Sequence, residues 1–218
     1  MPDRTRARQL AAESLAHGDA TGWFERLYAE AARGEAIVPW ADLHPNPNLL
    51  SWWQSQRALK IGCGFGDDAE QLSAWGFQTT AFDIAESAIA ECRRRFPQTR
   101  VNYAVADLLK PPREWIGHFD FVLESYTLQV LPPELRPAAM RSVASFVKPG
   151  GTLLLIARGR ETTDSPGQMP WPLTREEVQA IGGDGLSIVT FEDFLDNETP
   201  PVRRFRLVCK RDSTSASV

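Results

Sequence analysis

The chain has 218 residues, 43% of them hydrophobic, enough to bury one sizeable core. Lysine and arginine number 24 against 28 acidic residues, a net charge of −4, which argues against nucleic acid as the main partner. Three cysteines and three histidines lie scattered without ligand spacing, so neither a metal site nor a disulfide framework is expected. The polar start at Met1-Pro2-Asp3-Arg4 and the lack of any span of membrane length predict a cytoplasmic protein with no membrane partner.

In chain order, residues 4–33 carry Leu10, Ala11, Leu15, Trp23, Phe24, Leu27, Tyr28 and Ala31 at helical spacing, with a break near Gly18 and a stop at Gly34. A proline-rich connection through Pro39, Pro45 and Pro47 leads to a short apolar segment at 49–53. From residue 57 strands alternate with helices: strand 58–61, glycine turn 62–66, helix 67–75, strand 77–83, helix 86–96, strand 101–105 and strand 119–123. Pro133-Glu134 opens another helix, and Pro149-Gly150-Gly151 turns into a strand at 152–157. Such alternation means βαβ units and a mostly parallel, doubly wound sheet, seven-stranded once the last two strands are added. Residues 158–173 read as a loop. Thr174 and Glu177 form a capping-box pattern opening a helix to about Ile181. Two β-rich runs, 186–194 and 202–210, have no helix between them and should pair as an antiparallel hairpin. The expected organisation is an N-terminal helical lid over 1–56, an α/β domain over 57–211 and a disordered tail over 212–218.

The chemistry gathers at three turns. Gly62, Gly64 and Gly66 sit between a strand and a helix, where open α/β sheets bind ligands and where backbone without Cβ allows close approach. A dinucleotide fingerprint wants glycine at 67, but Asp67-Asp68 stand there, and two carboxylates would repel a pyrophosphate. A ligand bearing an ammonium and a sulfonium tolerates them; plain helix capping by these aspartates is compatible with that reading. Asp83, followed by Ile84, closes the second strand 21 residues after Gly62, where a carboxylate can accept both hydroxyls of a ribose. A bland aspartate at a strand end is the alternative. Asp107 and Leu108 follow the third strand, placed to meet the amine and the ring of an adenine. Cys63, beside a helix N-terminus, is set aside as a nucleophile because Asp67 and Asp68 oppose a lowered thiol pKa. The arginines 93–95 read as a solvated helix end.

These residues resemble the class I S-adenosylmethionine-dependent methyltransferases. The likeness runs over about 57–160 through five segments in order: 58–66, 80–89, 106–108, 119–124 and 147–151. It implies S-adenosyl-L-methionine as cofactor and a methyl acceptor as substrate. One departure is Lys60, where the family commonly has an acid; the ammonium of the cofactor must then be met elsewhere, with Asp67 or Asp68 as candidates. A narrower likeness is to the thiopurine, thiol and halide methyltransferases, carried by 22–28, Val38-Pro39-Trp40-Ala41-Asp42, 46–50 and Met169-Pro170-Trp171-Pro172. It implies that Trp23 and Trp40 fold over the cofactor and that Glu124 faces its methionine end. An aromatic face beside a sulfonium is attractive, while core packing is the alternative for both tryptophans. Trp52 and Trp53 are assigned to core or lid.

Methyl transfer needs orientation and dryness more than reactive side chains. Tyr126, on the segment 124–129 after the fourth strand, is the expected orienting residue, with Glu124 beside it as a second candidate. Asp42 and His44 are weaker lid candidates. Arg158 and Arg160 suit either an acidic acceptor or solvent. The expected function is methylation of a small molecule at S, N or O. A non-catalytic cofactor-binding module acting through a partner protein is the second reading, and a dinucleotide oxidoreductase the third. Oligomeric state is not readable.

Overall fold

In a computed structural model of the chain, residues 4–41, 43, 56–183 and 185–213 are described. The expectations for Asp42, His44, Trp52, Trp53, the apolar segment 49–53 and most of the tail lie outside the described residues.

Helices α1 (Thr5–Ala16) and α2 (Gly22–Ala32) precede β1 (Arg57–Ile61), α3 (Asp67–Ala74), β2 (Gln78–Asp83), α4 (Glu86–Arg95), β3 (Asn102–Val105) and β4 (Phe119–Ser125). Then come α5 (Arg136–Phe146), β5 (Val147–Arg158), α6 (Arg175–Gln179), β6 (Leu186–Leu195) and β7 (Arg203–Arg211). The strands form one sheet in the order β3-β2-β1-β4-β5-β7-β6. The pairs β2/β3, β1/β4 and β4/β5 are parallel, and β7 runs antiparallel to both β5 and β6. The strand order therefore reverses at β1 and β4, the switch point at which open α/β sheets bind ligands outside the strand carboxyl ends. The mostly parallel sheet and terminal antiparallel pair are as expected. Among the described residues no helix is long and apolar enough to cross a membrane.

The chain divides into two compact units. One comprises residues up to 53 with 62–107. Its α1 buries Ala7, Leu10, Ala11 and Ser14, and α2 buries Trp23, Phe24, Leu27 and Tyr28. Gly18 ends the first helix at φ +73°, and Asp19 Oδ1 then accepts from the backbone N–H of Thr21 and Gly22 at 3.0 and 2.8 Å, capping the second. Trp23 and Phe24 stack with centroids 3.9 Å apart, and Trp40 meets Trp23 edge-on at 5.7 Å.

The other unit comprises 54–61 with 108–218. Its core is the apolar run Leu153, Leu154, Leu155 and Ile156 of β5 with Leu59, Phe121, Leu123, Phe205 and Leu207, all at most 1% exposed. A strand buried on both faces reads as a continuous apolar run, which is why this sheet was visible in the sequence. The capping box is present: Glu177 N–H donates to Thr174 Oγ1 at 3.2 Å and Thr174 N–H to Glu177 Oε2 at 2.7 Å.

Three local expectations are corrected. The helix placed at Pro133-Glu134 begins at Arg136, after a turn, with Pro137 in its first turn. Residues 149–151 do not turn into β5 but belong to it, with Gly150 at φ +73°. The arginines closing α4 are not simply solvated: Arg93 donates to Tyr103 O at 2.8 Å and Arg95 turns back onto the glycine turn.

Candidate functional site

In the first unit the glycine turn is built by its backbone. Gly62, Gly64 and Gly66 adopt φ of +55°, +54° and +92°, a region that favours glycine. Cys63 N–H donates to Phe82 O at 2.9 Å, Gly66 N–H to Cys63 O at 2.9 Å, and Gly64 N–H to Asp83 Oδ2 at 3.0 Å. Asp83 Oδ1 accepts from Ala85 N–H at 3.0 Å, and Ala106 N–H donates to Asp83 O at 3.0 Å. One buried carboxylate thus ties together the glycine turn and the start of the turn at Ile84. Its backbone carbonyl holds the segment leading to Asp107. A carboxylate has about four acceptor sites over its two oxygens, and these two backbone donors approach different oxygens.

One residue whose role the sequence did not show adds to this face. Tyr28, buried on α2, accepts from Trp40 Nε1 at 3.0 Å. Its hydroxyl lies 3.2 Å from where a Cβ on Gly64 would stand, and its ring meets Phe65 at 5.3 Å. Burial, first, and the charge of Asp83, next, push the Tyr28 phenol up, so it stays protonated. Trp23 is 1% exposed and donates to Ala20 O at 3.2 Å, a core position, whereas Trp40 is half-buried. Helical spacing marked Tyr28 as apolar face; only the tertiary structure shows where its hydroxyl reaches.

Asp67 has a partner that the sequence did not suggest. Arg95 Nη1 and Nη2 bind its two oxygens at 2.8 Å each, and Nη1 also donates to Phe65 O at 2.6 Å. Arg95 and Asp67 are 19% and 16% exposed, so the pair is largely sheltered. Both carboxylate oxygens thus bind the Arg95 fork, which anchors the turn. Arg95→Met should lower stability by about 1–3 kcal/mol, between an exposed and a fully buried pair. That corresponds to a melting temperature lower by roughly 2–12 °C. Arg95→Lys, which keeps the charge but loses the fork, should fall between; a melting curve for Arg95→Met matching the unsubstituted protein would refute the anchoring role.

In the second unit β4 ends in a strained turn. Glu124 is fully buried, and its Oε1 accepts from Thr127 N–H at 2.7 Å and Leu128 N–H at 3.0 Å. Its Oε2 is buried and has no hydrogen-bond partner among the described residues. Burial pushes this carboxyl up to about 7, against the pull of the Leu128 N–H, the Lys60 charge and the Thr127 N–H. Tyr126 stands at φ +67°, its N–H donating to Ile156 O at 3.0 Å, with the Arg204 guanidinium 5.1 Å from its ring centre. Lys60, 3% exposed on β1, donates to Ile61 O at 2.7 Å. Leu108 is buried. Arg160 is no solvated loop arginine: its Nε donates to Pro172 O at 3.0 Å and its Nη1 to Glu161 O and Asp164 O. Among the described residues no cluster of ligands suits a metal ion.

Over 106 residues the chain is 35% identical to a ubiquinone biosynthesis O-methyltransferase of Xanthomonas campestris pv. campestris (strain B100), covering 48% of this chain and 44% of that one. The chain thus spans less than half the length of that curated relative. Thiocyanate methyltransferase 1 of Arabidopsis thaliana is 26% identical over 165 residues, covering 71% and 72%. The N-methyltransferase NodS of Bradyrhizobium japonicum WM9, solved with S-adenosyl-L-homocysteine, superposes with a TM-score of 0.66 at 20% identity, covering 85% and 98%, a likeness of fold. Residues 58–151, which hold the glycine turn, Asp83, Asp107 and Glu124, match the family described as the methyltransferase domain.

Proposed function

We propose that the chain is an S-adenosylmethionine-dependent methyltransferase of class I acting on a small molecule. The observation that carries it is the Gly64–Asp83 tie: a bare left-handed backbone beside a buried carboxylate, inside the segment matching the methyltransferase domain. In this reading Asp83 accepts the ribose hydroxyls, Gly62, Gly64 and Gly66 leave room for the nucleoside, and Ile84, Asp107 and Leu108 meet the adenine. S-adenosyl-L-methionine supplies a methyl group already activated by its sulfonium. The chain supplies position and dryness. Trp40 offers the aromatic face for the sulfonium and Trp23 stacks the cluster behind it. Glu124 serves the methionine end, and Tyr126 orients the acceptor from the end of β4. The acceptor atom is S, N or O; the 26% likeness to a thiocyanate methyltransferase supports the thiol and halide subgroup.

Adenosylhomocysteine at a hundred times its Kd should stabilise the fold by about 2.7 kcal/mol, roughly 5–11 °C in melting temperature for a chain of this size. NAD should leave the melting temperature unchanged. Stabilisation by NAD alone would refute the proposal. A methyl-release assay over thiols, phenols and nitrogen heterocycles then separates enzyme from binding module: turnover on one of them is expected, and tight cofactor binding with no turnover on any would favour the module.

A further inference from the structure

Helix α4 has no cap of its own. Ala85 stands at its N-cap position with extended backbone and no side-chain oxygen to offer, so the first N–H groups of the helix need acceptors from elsewhere. Asp83 Oδ1 takes the Ala85 N–H at 3.0 Å. The Ser87 N–H is taken by Glu25 Oε2 at 3.1 Å, from α2, across a sequence separation of 62. A half-buried carboxylate of one helix thus caps the other.

At its far end the same helix grips the glycine turn. Cys92 Sγ donates to Gly64 O at 3.2 Å, and Arg95 donates to Phe65 O and holds Asp67. Helix α2 also meets that turn directly. Tyr28 follows Glu25 by one helical turn, so both lie on one face. The Tyr28 ring meets Phe65 at 5.3 Å, its hydroxyl lies over Gly64, and Trp40 Nε1 donates to that hydroxyl at 3.0 Å. Helices α2 and α4 and the glycine turn therefore close a frame within one compact unit, with Glu25 as a polar joint between the two helices.

We propose that Glu25 is a positioning residue: by capping α4 it keeps α2, with Tyr28 and Trp40, seated on the glycine turn, and so slows the escape of a bound cofactor. Only that last step rests on the S-adenosylmethionine reading; the seating of α2 is measurable without ligand. Tyr28 and Trp40 can shelter a ligand at Gly64 only while α2 is held there. A bond to a carboxylate is stronger than one to a neutral acceptor, and removing the acceptor leaves a helix-end N–H unmet. Glu25 also lies in the first turn of α2, where a negative charge suits the N-terminus of its own helix. Chemistry separates the two roles. A helix dipole answers to charge, whereas the Ser87 N–H needs an oxygen. Glutamine keeps the oxygen without the charge, and methionine keeps the length with neither.

Hydrogen exchange read by mass spectrometry, on the whole chain without ligand, tests the joint. In Glu25→Met the amides of α2 and of the first turn of α4 should exchange at least about tenfold faster, as expected for the loss of a hydrogen bond to a charged group. Those of β5, in the other unit, should stay as they were. Glu25→Gln should restore most of the protection. In stopped flow, adenosylhomocysteine should leave Glu25→Met at least about fivefold faster than the unsubstituted protein, since changes at a binding site act mainly on the off-rate. It should leave Glu25→Gln at nearly the original rate. Unchanged exchange in Glu25→Met, or equal exchange in the methionine and glutamine variants, overturns the joint. Faster exchange with an unchanged dissociation rate overturns its role in holding the cofactor. Should Glu25→Met not fold, Glu25→Asp keeps the charge but loses the reach, and protection there as high as in Glu25→Gln overturns the joint. Failure of the unsubstituted protein to bind adenosylhomocysteine overturns the cofactor reading, while the exchange measurement still decides the joint.

Discussion

Asp83→Asn is expected to weaken adenosylhomocysteine binding by at least about a hundredfold, measured by calorimetry. Hydrogen bonds to a charged group are worth about 1.5–3 kcal/mol each, and the proposed ribose contact uses two. The substitution also sets an NH₂ group against one of two backbone donors, because Gly64 N–H and Ala85 N–H approach different oxygens of the same carboxylate. One tie must break whichever way the amide turns. Binding should therefore fall together with stability, the melting temperature dropping by roughly 4–12 °C for about 2–3 kcal/mol. Methylthioadenosine should be weakened as much as adenosylhomocysteine, since both carry the ribose; this separates Asp83 from Glu124. An Asp83→Asn protein that binds either ligand like the parent would remove the adenosine site from this turn.

What the sequence made legible was what chain neighbours decide. Thr174 and Glu177 are three residues apart, and their reciprocal bonds form as the pattern predicts. The run 153–156 is buried on both faces, and a strand so placed has few polar positions to confuse it. Asp83 was placed by its position at a strand end after a glycine turn, a spacing set by one βαβ unit. The tie from Arg95 to Asp67 was hidden by a sequence separation of 28; three consecutive arginines look alike until helix phase and tertiary packing give each a partner. Lys60 was recognised as a departure, but its charge pulls down a carboxyl on another strand, Glu124, although the register itself sets Lys60 beside Leu123. Pro149-Gly150-Gly151 read as a turn from its residue types, and Gly150 does adopt positive φ, yet β5 carries it inside the strand beside a register shift against β4. The tertiary partners of a charge are decided by the whole sheet.

Gly66→Ala should be more damaging than Gly64→Ala in the glycine turn. Gly66 stands at φ +92°, ψ −2° just before α3, and a Cβ there would lie 2.4 Å from Tyr103 Oη and 3.0 Å from Cys92 Sγ. The left-handed backbone alone is worth roughly 1–2 kcal/mol against alanine. Overpacking adds typically about 1–3 kcal/mol, and the obstacle here is not a free side chain. Tyr103 is 5% exposed and its hydroxyl donates to Glu70 Oε1 at 2.8 Å, while Glu70 also accepts from Thr99, so moving the ring disturbs a buried polar chain. The sum, about 2–5 kcal/mol, predicts a melting temperature lower by roughly 4–20 °C. Gly76→Ala is the matched control. Its φ of +95° is as unfavourable for alanine, but nothing lies within 4 Å of the new Cβ, so it should lose only the backbone share, roughly 2–8 °C. The excess loss at Gly66 measures the pressure of Tyr103 on the turn. Cofactor affinity should fall with it at Gly66 and hold at Gly76, since Gly66 belongs to the turn tied to Asp83 and Gly76 lies beyond α3. Equal losses at both positions would mean that Tyr103 yields freely and that the turn is not held rigid from behind.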